Sequence, residues 1–194
     1  MVNSRHSRLY EIAESQAGYF SAVQARQAGF SSSLLSYHAK TGLVERISRG
    51  TYRIRRFPGS SYEDLFYSKL RAGPDAVISH ESALALYELS DVLPTEVHVT
   101  VPRTTSRRRA GMRQHRNHLE SKDVTAREGL RVTTVPRTIA DVARSGLSED
   151  RVLQSIEDAI DRGLIDGKEL RDAADKYGGR TKRIVNNFFQ NRAQ

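Results

Sequence analysis

Between residues 21 and 54 the chain carries helix start and stop signals so closely spaced that only short elements fit between them. Ser21 followed by Gln24 is a capping-box pattern, in which the two side chains satisfy each other's backbone N–H groups, and Gly29 supplies the stop. Ser31 then offers an N-cap, with Phe30 as the apolar staple before it, Leu35 and His38 as the inward face, and Gly42 as the next stop. Ahead of both, Leu9, Ile12 and Ala13 fall at helical spacing and predict an amphipathic helix over residues 4–16, punctuated by Gly18. After them, Leu43–Ile47 and Thr51–Ile54 are β-prone runs around an Arg49-Gly50 turn, which predicts a hairpin. Three helices and a hairpin in this order are the plan of a winged helix-turn-helix, in which two helices hold a third against the major groove while the hairpin reaches along the backbone.

Charge points the same way. The 194 residues carry 31 Lys/Arg against 23 Asp/Glu, a net charge of +8 that favours a polyanionic partner. Residues 1–57 hold nine basic and three acidic side chains, 58–101 two and seven, 102–144 eleven and four, and 145–194 nine of each. Two basic segments therefore flank an acidic one. The absence of cysteine excludes disulfides, thiolate zinc sites and a cysteine nucleophile. No run approaches the roughly 18 apolar residues of a membrane helix. The start, Met1-Val2-Asn3-Ser4-Arg5-His6, has no signal-peptide core, so the expected location is the cytoplasm, with no membrane partner.

Beyond the turn-rich Phe57-Pro58-Gly59-Ser60, a second domain is expected over 58–194, joined to a first over 1–57. Ser60 and Glu63 read as another capping box, and Gly73-Pro74 as the end of that helix. Ala76–Ile78 is a short strand followed by a Ser79-capped helix. Val97, Val99 and Val101 alternate with Glu96, His98 and Thr100, the pattern of a half-buried strand, and Leu130–Val135 is a second strand that runs into a Pro136-initiated helix. Helices over 148–162, 166–176 and 181–190 complete an α+β body.

If Leu35 and His38 face inward, the third helix exposes Ser32, Ser33, Ser36, Tyr37 and Lys40, and the first helix presents Arg5 and Arg8. The hairpin adds Arg46, Arg49, Thr51 and Arg53, next to Arg55 and Arg56. Hydroxyls and a lysine suit phosphates and base edges, but the helix has no Arg, Asn or Gln for bidentate base reading, so affinity is expected to come largely from phosphates and the wing. The same serines also suit a merely capped and solvated helix. Arg103, Arg107, Arg108, Arg109 and Arg113 follow the Val-rich strand. They form either a second anion-facing surface or a solvated connection.

Enzymatic patterns are absent. His115-Asn117-His118 and His80-Glu81 offer imidazoles without the two-histidine helical spacing of a zinc site. Gly59-Ser60 begins like a nucleotidyltransferase signature, but no Asp-x-Asp or Asp-x-Glu follows on a strand, and no Walker loop, dinucleotide fingerprint or nucleophile elbow occurs. The expectation is a non-enzyme with no metal and no cofactor.

Residues 9–54, with Gly29-Phe30-Ser31, Gly42–Ile47 and Ser48–Ile54, resemble the N-terminal winged-helix domain of AbiEi-family antitoxins. Val77–Leu84, Val97–Pro102 and Val135–Asp141 resemble that family's second domain, and the likeness runs over about residues 5–185. The resemblance implies a type IV toxin-antitoxin system tied to phage defence. Its N-terminal domain would bind double-stranded repeats in its own promoter, as a dimer or cooperatively, and repress it. Its C-terminal domain would neutralise a nucleotidyltransferase-like toxin, by direct binding or functionally. Family recognition helices often carry arginines where this chain has Ser32, Ser36 and Tyr37. A plain winged-helix regulator without antitoxin activity is the alternative.

Overall fold

In the first three helices, each start lies on a hydroxyl that the sequence places for it. In the computed structural model, which describes residues 4–91, 94–102 and 110–192, α1 (Arg5–Glu14) begins at Ser4, whose side chain accepts from the Ser7 N–H. Helix α2 (Ala22–Gln27) begins at Ser21 with both capping-box bonds to Gln24 formed, at 3.1 and 2.8 Å. Helix α3 (Ser32–Thr41) begins at Ser31 and ends on Gly42, whose left-handed φ of 81° a side chain would strain.

The hairpin is present as β2 (Val44–Ser48) and β3 (Thr51–Ile54), with an irregularity between Arg46 and Ser48. A third strand that the sequence reading lacks, β1 (Tyr19–Ser21), pairs antiparallel with the other side of β3, giving the order β1-β3-β2. Three residues are too few to show a period-2 pattern, and Ser21 doubles as the cap of α2. At the start of this strand Gly18 has a φ of +85°, and a Cβ there would lie 2.6 Å from the Phe57 side chain, so only glycine fits. Leu9, Ala13, Phe20, Ala25, Phe30, Leu35, Val44 and Tyr52 make the core, with Phe20 stacked on Tyr52 at 5.8 Å.

The chain divides into two units, Met1–Asp75 with Glu128–Leu130, and Ala76–Arg127 with Arg131–Gln194. Helix α4 (Glu63–Ala72), read from the sequence as the start of the second domain, thus belongs with the first unit. The reason is Glu63, which pairs with Arg53 of β3 at 2.8 Å and accepts from the Tyr19 hydroxyl of β1 at 3.1 Å. The expected box at Ser60 is half formed. Glu63 accepts from the Ser60 N–H, but the Ser60 hydroxyl accepts from Tyr62, and α4 has no side-chain cap.

The second unit is built on a five-stranded mixed sheet in the order β6-β5-β4-β8-β7. Its strands are β4 (Val77–Ile78), β5 (Val97–Val101), β6 (Met112–Arg116), β7 (Val124–Arg127) and β8 (Leu130–Thr133). β4 runs antiparallel to β5 and parallel to β8, and β5 runs parallel to β6. The helices are α5 (His80–Leu86), α6 (Val135–Ser145), α7 (Glu149–Asp161), α8 (Gly167–Tyr177) and α9 (Gly179–Arg192). The fold is thus mixed α+β, as expected, but β5 is not half-buried: His98 and Thr100 are buried along with the valines.

Helix α6 packs against α5, α7, α8 and α9 and buries eight of its residues, Arg137 and Asp141 among them. Arg137 donates from Nε to Asp141 at 3.0 Å and from Nη1 to Asp123 at 3.1 Å. Asp123 also accepts from Lys176 Nζ and the Tyr177 hydroxyl of α8, each at 2.9 Å. Burial pushes the Asp123 carboxyl up, but these donors and the Glu120 N–H outweigh it and hold the carboxyl below its ordinary range. One guanidinium therefore ties α6 to the segment before β7 and, through Asp123, to α8. Arg137→Leu would leave the buried Asp141 carboxylate without its cation and Asp123 with Lys176 alone, and is expected to cost the second unit about 3–5 kcal/mol in urea unfolding followed by circular dichroism. A loss within the error of the measurement would show that the pair is dispensable.

Candidate nucleic-acid interface

Helix α3 presents its outer face because its inner one is pinned. Leu35 is buried, and His38 lies half-buried against Phe30 and His6, with ring centroids 5.7 and 5.4 Å away. His6 in turn meets Phe30 edge-on at 5.2 Å, so the first turn of α1 is joined to α3 through three rings. This brings Arg5 close: burial first, then the positive potential of His6 and Arg5, pushes the His38 imidazole below its ordinary value. Ser32, Ser33, Ser36, Tyr37 and Lys40 are all exposed, as the spacing predicts, and Tyr37 leaves 59% of its surface in solvent. An aromatic ring held out this far, with its hydroxyl available, can stack or donate to an incoming surface.

Arg5, Arg8, Arg46 and Arg49 are exposed as well, the last at the hairpin turn. Gly50 anchors that turn by accepting from the Ala22 N–H at 2.9 Å, so the first residue of α2 holds the wing. Two expected contact residues point elsewhere. Thr51 is buried, and the side chain of Arg53 is only 15% exposed. Arg53 lies over the Tyr19 ring at 5.5 Å and donates to the carbonyls of Phe57 and Pro58 as well as to Glu63. Its guanidinium is occupied within the module. Arg53→Ala is accordingly expected to lower the urea midpoint of the first unit, and Arg49→Ala to leave it unchanged; equal midpoints for the two variants would refute this division of roles.

Of the second basic group, Arg103, Arg107, Arg108 and Arg109 lie outside the described residues. Arg113 is exposed, but on strand β6, whereas the sequence reading placed it in a connection. The short Met112–Arg116 run, rich in Arg, Gln and His, has no apolar alternation to signal a strand; its pairing with β5 creates it.

The sequence also hides a histidine cluster. His80, His98 and His115 converge in the second unit, His80 stacked on His115 at 3.4 Å and His98 at 5.1 Å from His115. His80 Nδ1 is 3.0 Å from the Ser79 hydroxyl, which accepts from Thr100 at 2.8 Å. Among the described residues no group of three His, Asp or Glu side chains is arranged to hold a metal. Burial, then the neighbouring imidazoles and Arg137 and Arg113, push His80 down to about 2. Burial, then His98 and Arg113, push His115 down to about 4. His98 is lowered too, by burial and Arg113 against the opposing pull of Glu81 and Glu96. In the sequence the three stand apart, His80 and His115 as isolated imidazoles and His98 as a polar residue alternating with valines, and only the pairing of β5 with β6 brings them together.

The first unit, with its order of helix, strand, two helices and hairpin, is a winged helix-turn-helix. Residues 7–55, most of that module, match the family described as "Transcriptional regulator, AbiEi antitoxin", so the resemblance read from the sequence is shown in this segment. No curated protein matches the chain. Among solved structures, the RV2827C protein from Mycobacterium tuberculosis has a similar fold, with a TM-score of 0.60 at 12% identity over 96% of this chain and 76% of that one. No helix among the described residues is long and apolar enough to cross a membrane.

The three depressed histidines set a pH dependence. Each binds a proton less readily in the folded chain than unfolded, where the ordinary value is about 6.5. Their contribution to stability is therefore complete above that value and is lost as pH falls below it, through about 4 for His115. The second unit's urea midpoint should drop between pH 7.5 and 5, and His115→Gln should flatten that drop. A midpoint constant across this window would contradict the cluster's buried, neutral state.

Proposed function

We propose that this chain is a cytoplasmic antitoxin of a type IV, AbiE-like system that also represses its own promoter. The observation that carries the reading is a coincidence: the segment matching the AbiEi family, residues 7–55, is also the segment that exposes Arg8, Lys40, Arg46 and Arg49 together with the outer side chains of α3, with Arg5 exposed just before it. In this reading α3 enters the major groove. The hydroxyls of Ser32, Ser33 and Ser36 and the Lys40 ammonium meet phosphates or base edges, Tyr37 contributes to sequence preference, and Arg49 and Arg46 extend the contact along the backbone. The N-terminus of α3 adds its own positive end to a nearby phosphate. Thr51 and Arg53 are left out of the contact set, because both are committed to the module's interior. The second unit would neutralise a nucleotidyltransferase-like toxin.

Five cations on phosphates give a slope of log affinity against log salt near −4.5. Arg49→Ala should weaken specific and random DNA alike and flatten that slope by about 1, whereas Tyr37→Ala should change the ratio between specific and random DNA. A salt-insensitive complex would sink the assignment. Toxin neutralisation is tested by growth rescue, with the neighbouring reading frame and this chain expressed from two unrelated promoters so that repression cannot pass for neutralisation. Rescue by residues 76–194 alone supports the antitoxin reading. No rescue by the full chain beside a toxic neighbour leaves a plain winged-helix regulator.

A further inference from the structure

Helix α3 carries no Arg, Asn or Gln to grip a base edge with two hydrogen bonds, so a sequence preference has to come largely from elsewhere in the module. On the hairpin, one residue stands out of register. Arg46 lies opposite Tyr52 and Ser48 opposite Thr51, which leaves Ile47 with no residue across from it on β3. Opposite residues share a face and successive residues of β3 alternate, so Arg46 and Ser48 fall on different faces although they are two apart. Ile47 is therefore the extra residue of a β-bulge, a device that re-aims a side chain. It keeps 37% of its surface in solvent, with Arg46 and Arg49 exposed on either side of it. Glu45, the one carboxylate of the hairpin, lies opposite Arg53. The hairpin is also held firmly, since β3 pairs with β1 on its far side and the Gly50 carbonyl accepts from the Ala22 N–H at 2.9 Å.

We propose that Ile47 is a wedge: with α3 in the major groove, it enters the adjoining minor groove, partly unstacks one base step and bends the duplex, while Arg46 and Arg49 hold the phosphates on either side. Charge brings the backbone to the hairpin, and the isoleucine gains by leaving water for the faces of the opened bases. Steps differ in what they cost to open, and pyrimidine–purine steps give way most readily. Bound DNA would therefore be selected for such a step at a fixed distance from the α3 contact, a preference that needs no hydrogen bond to a base. A protein surface could also bury an isoleucine, but the two flanking cations match it to a polyanion with apolar faces inside it, which is a duplex. Ile47 acts in this way only if the module binds DNA, as proposed above.

The test lets the full chain select from a random-sequence duplex pool, then labels the selected duplex at both ends and reads bending by energy transfer. The chain is expected to enrich a TA or CA/TG step at one spacing and to bend the duplex by about 20° or more. Ile47→Thr keeps the β-branched shape that suits a strand, so the urea midpoint of the first unit should hold. Bending and the enrichment of the step should be lost with it, and affinity for the selected duplex should fall about tenfold. The salt slope should not change, because no cation is removed. Ile47→Leu, which keeps an apolar tip, should retain the bend. Selective binding to a straight duplex overturns the wedge and leaves the DNA reading standing, as does a bend that Ile47→Thr does not reduce. Failure to retain any duplex at low salt overturns the DNA reading and the wedge with it. A dimer in free solution that Ile47→Thr converts to monomer assigns Ile47 to a contact between copies and overturns the wedge.

Discussion

Strand β3 has to pair with β1 and β2 at once, and that requirement arranges the rest of the first unit. With a neighbour on each side, its residues are committed: Thr51 and Tyr52 go into the interior, and Arg53 is drawn to Glu63, Tyr19 and the Phe57 and Pro58 carbonyls. The arginines that remain at the surface of the wing are those before the strand, Arg46 and Arg49, and those after it, Arg55 and Arg56. A basic hairpin is thereby sorted into one arginine that holds the module together and several that meet solvent. The turn between β2 and β3 is itself fixed to α2 through Gly50 and Ala22, so wing and helices are one body built around one strand.

A different constraint governs the second unit, where polar groups are buried and must find partners inside. Arg137 is the clearest case: it lies in a helix surrounded by helices and survives there because Asp141 and Asp123 accept from it and Tyr177 lies beneath it at 5.1 Å. The histidines follow the same logic without ions. Stacked and neutral, they pack their imidazole rings against a buried face of β5 and β6, and Ser79, itself bonded by Thr100, takes up the Nδ1 of His80. Such packing is tolerant of neutral pH and intolerant of protonation.

Much of the first unit was legible because its signals are local. A capping box works through residues three apart, so Ser21 and Gln24 declare α2 regardless of what packs on it, and Ser31 and Gly42 bound α3 in the same way. The exposure of Ser32, Ser36, Tyr37 and Lys40 also followed from helical spacing alone. Where the same kind of signal failed, at Ser60 and Glu63, a distant cation had intervened: Glu63 is shared with Arg53, and the box forms only by half. Strand β6 failed for the opposite reason, since a sequence of Met, Arg, Gln and His becomes a strand only through the neighbour that pairs with it.

By itself, the sequence determined the order of elements in the winged helix-turn-helix, the ends of its second and third helices, and the face that α3 turns to solvent. These depend on interactions within a few residues, which the chain carries wherever it goes. Only the tertiary structure decided that Arg53 is committed to the module's interior, that α4 belongs with the first unit, that His98 and Thr100 are buried, and that Met112–Arg116 pairs as a strand beside β5. Each of these depends on a partner ten or more residues away or on a strand's place within its sheet, and no local spacing encodes either.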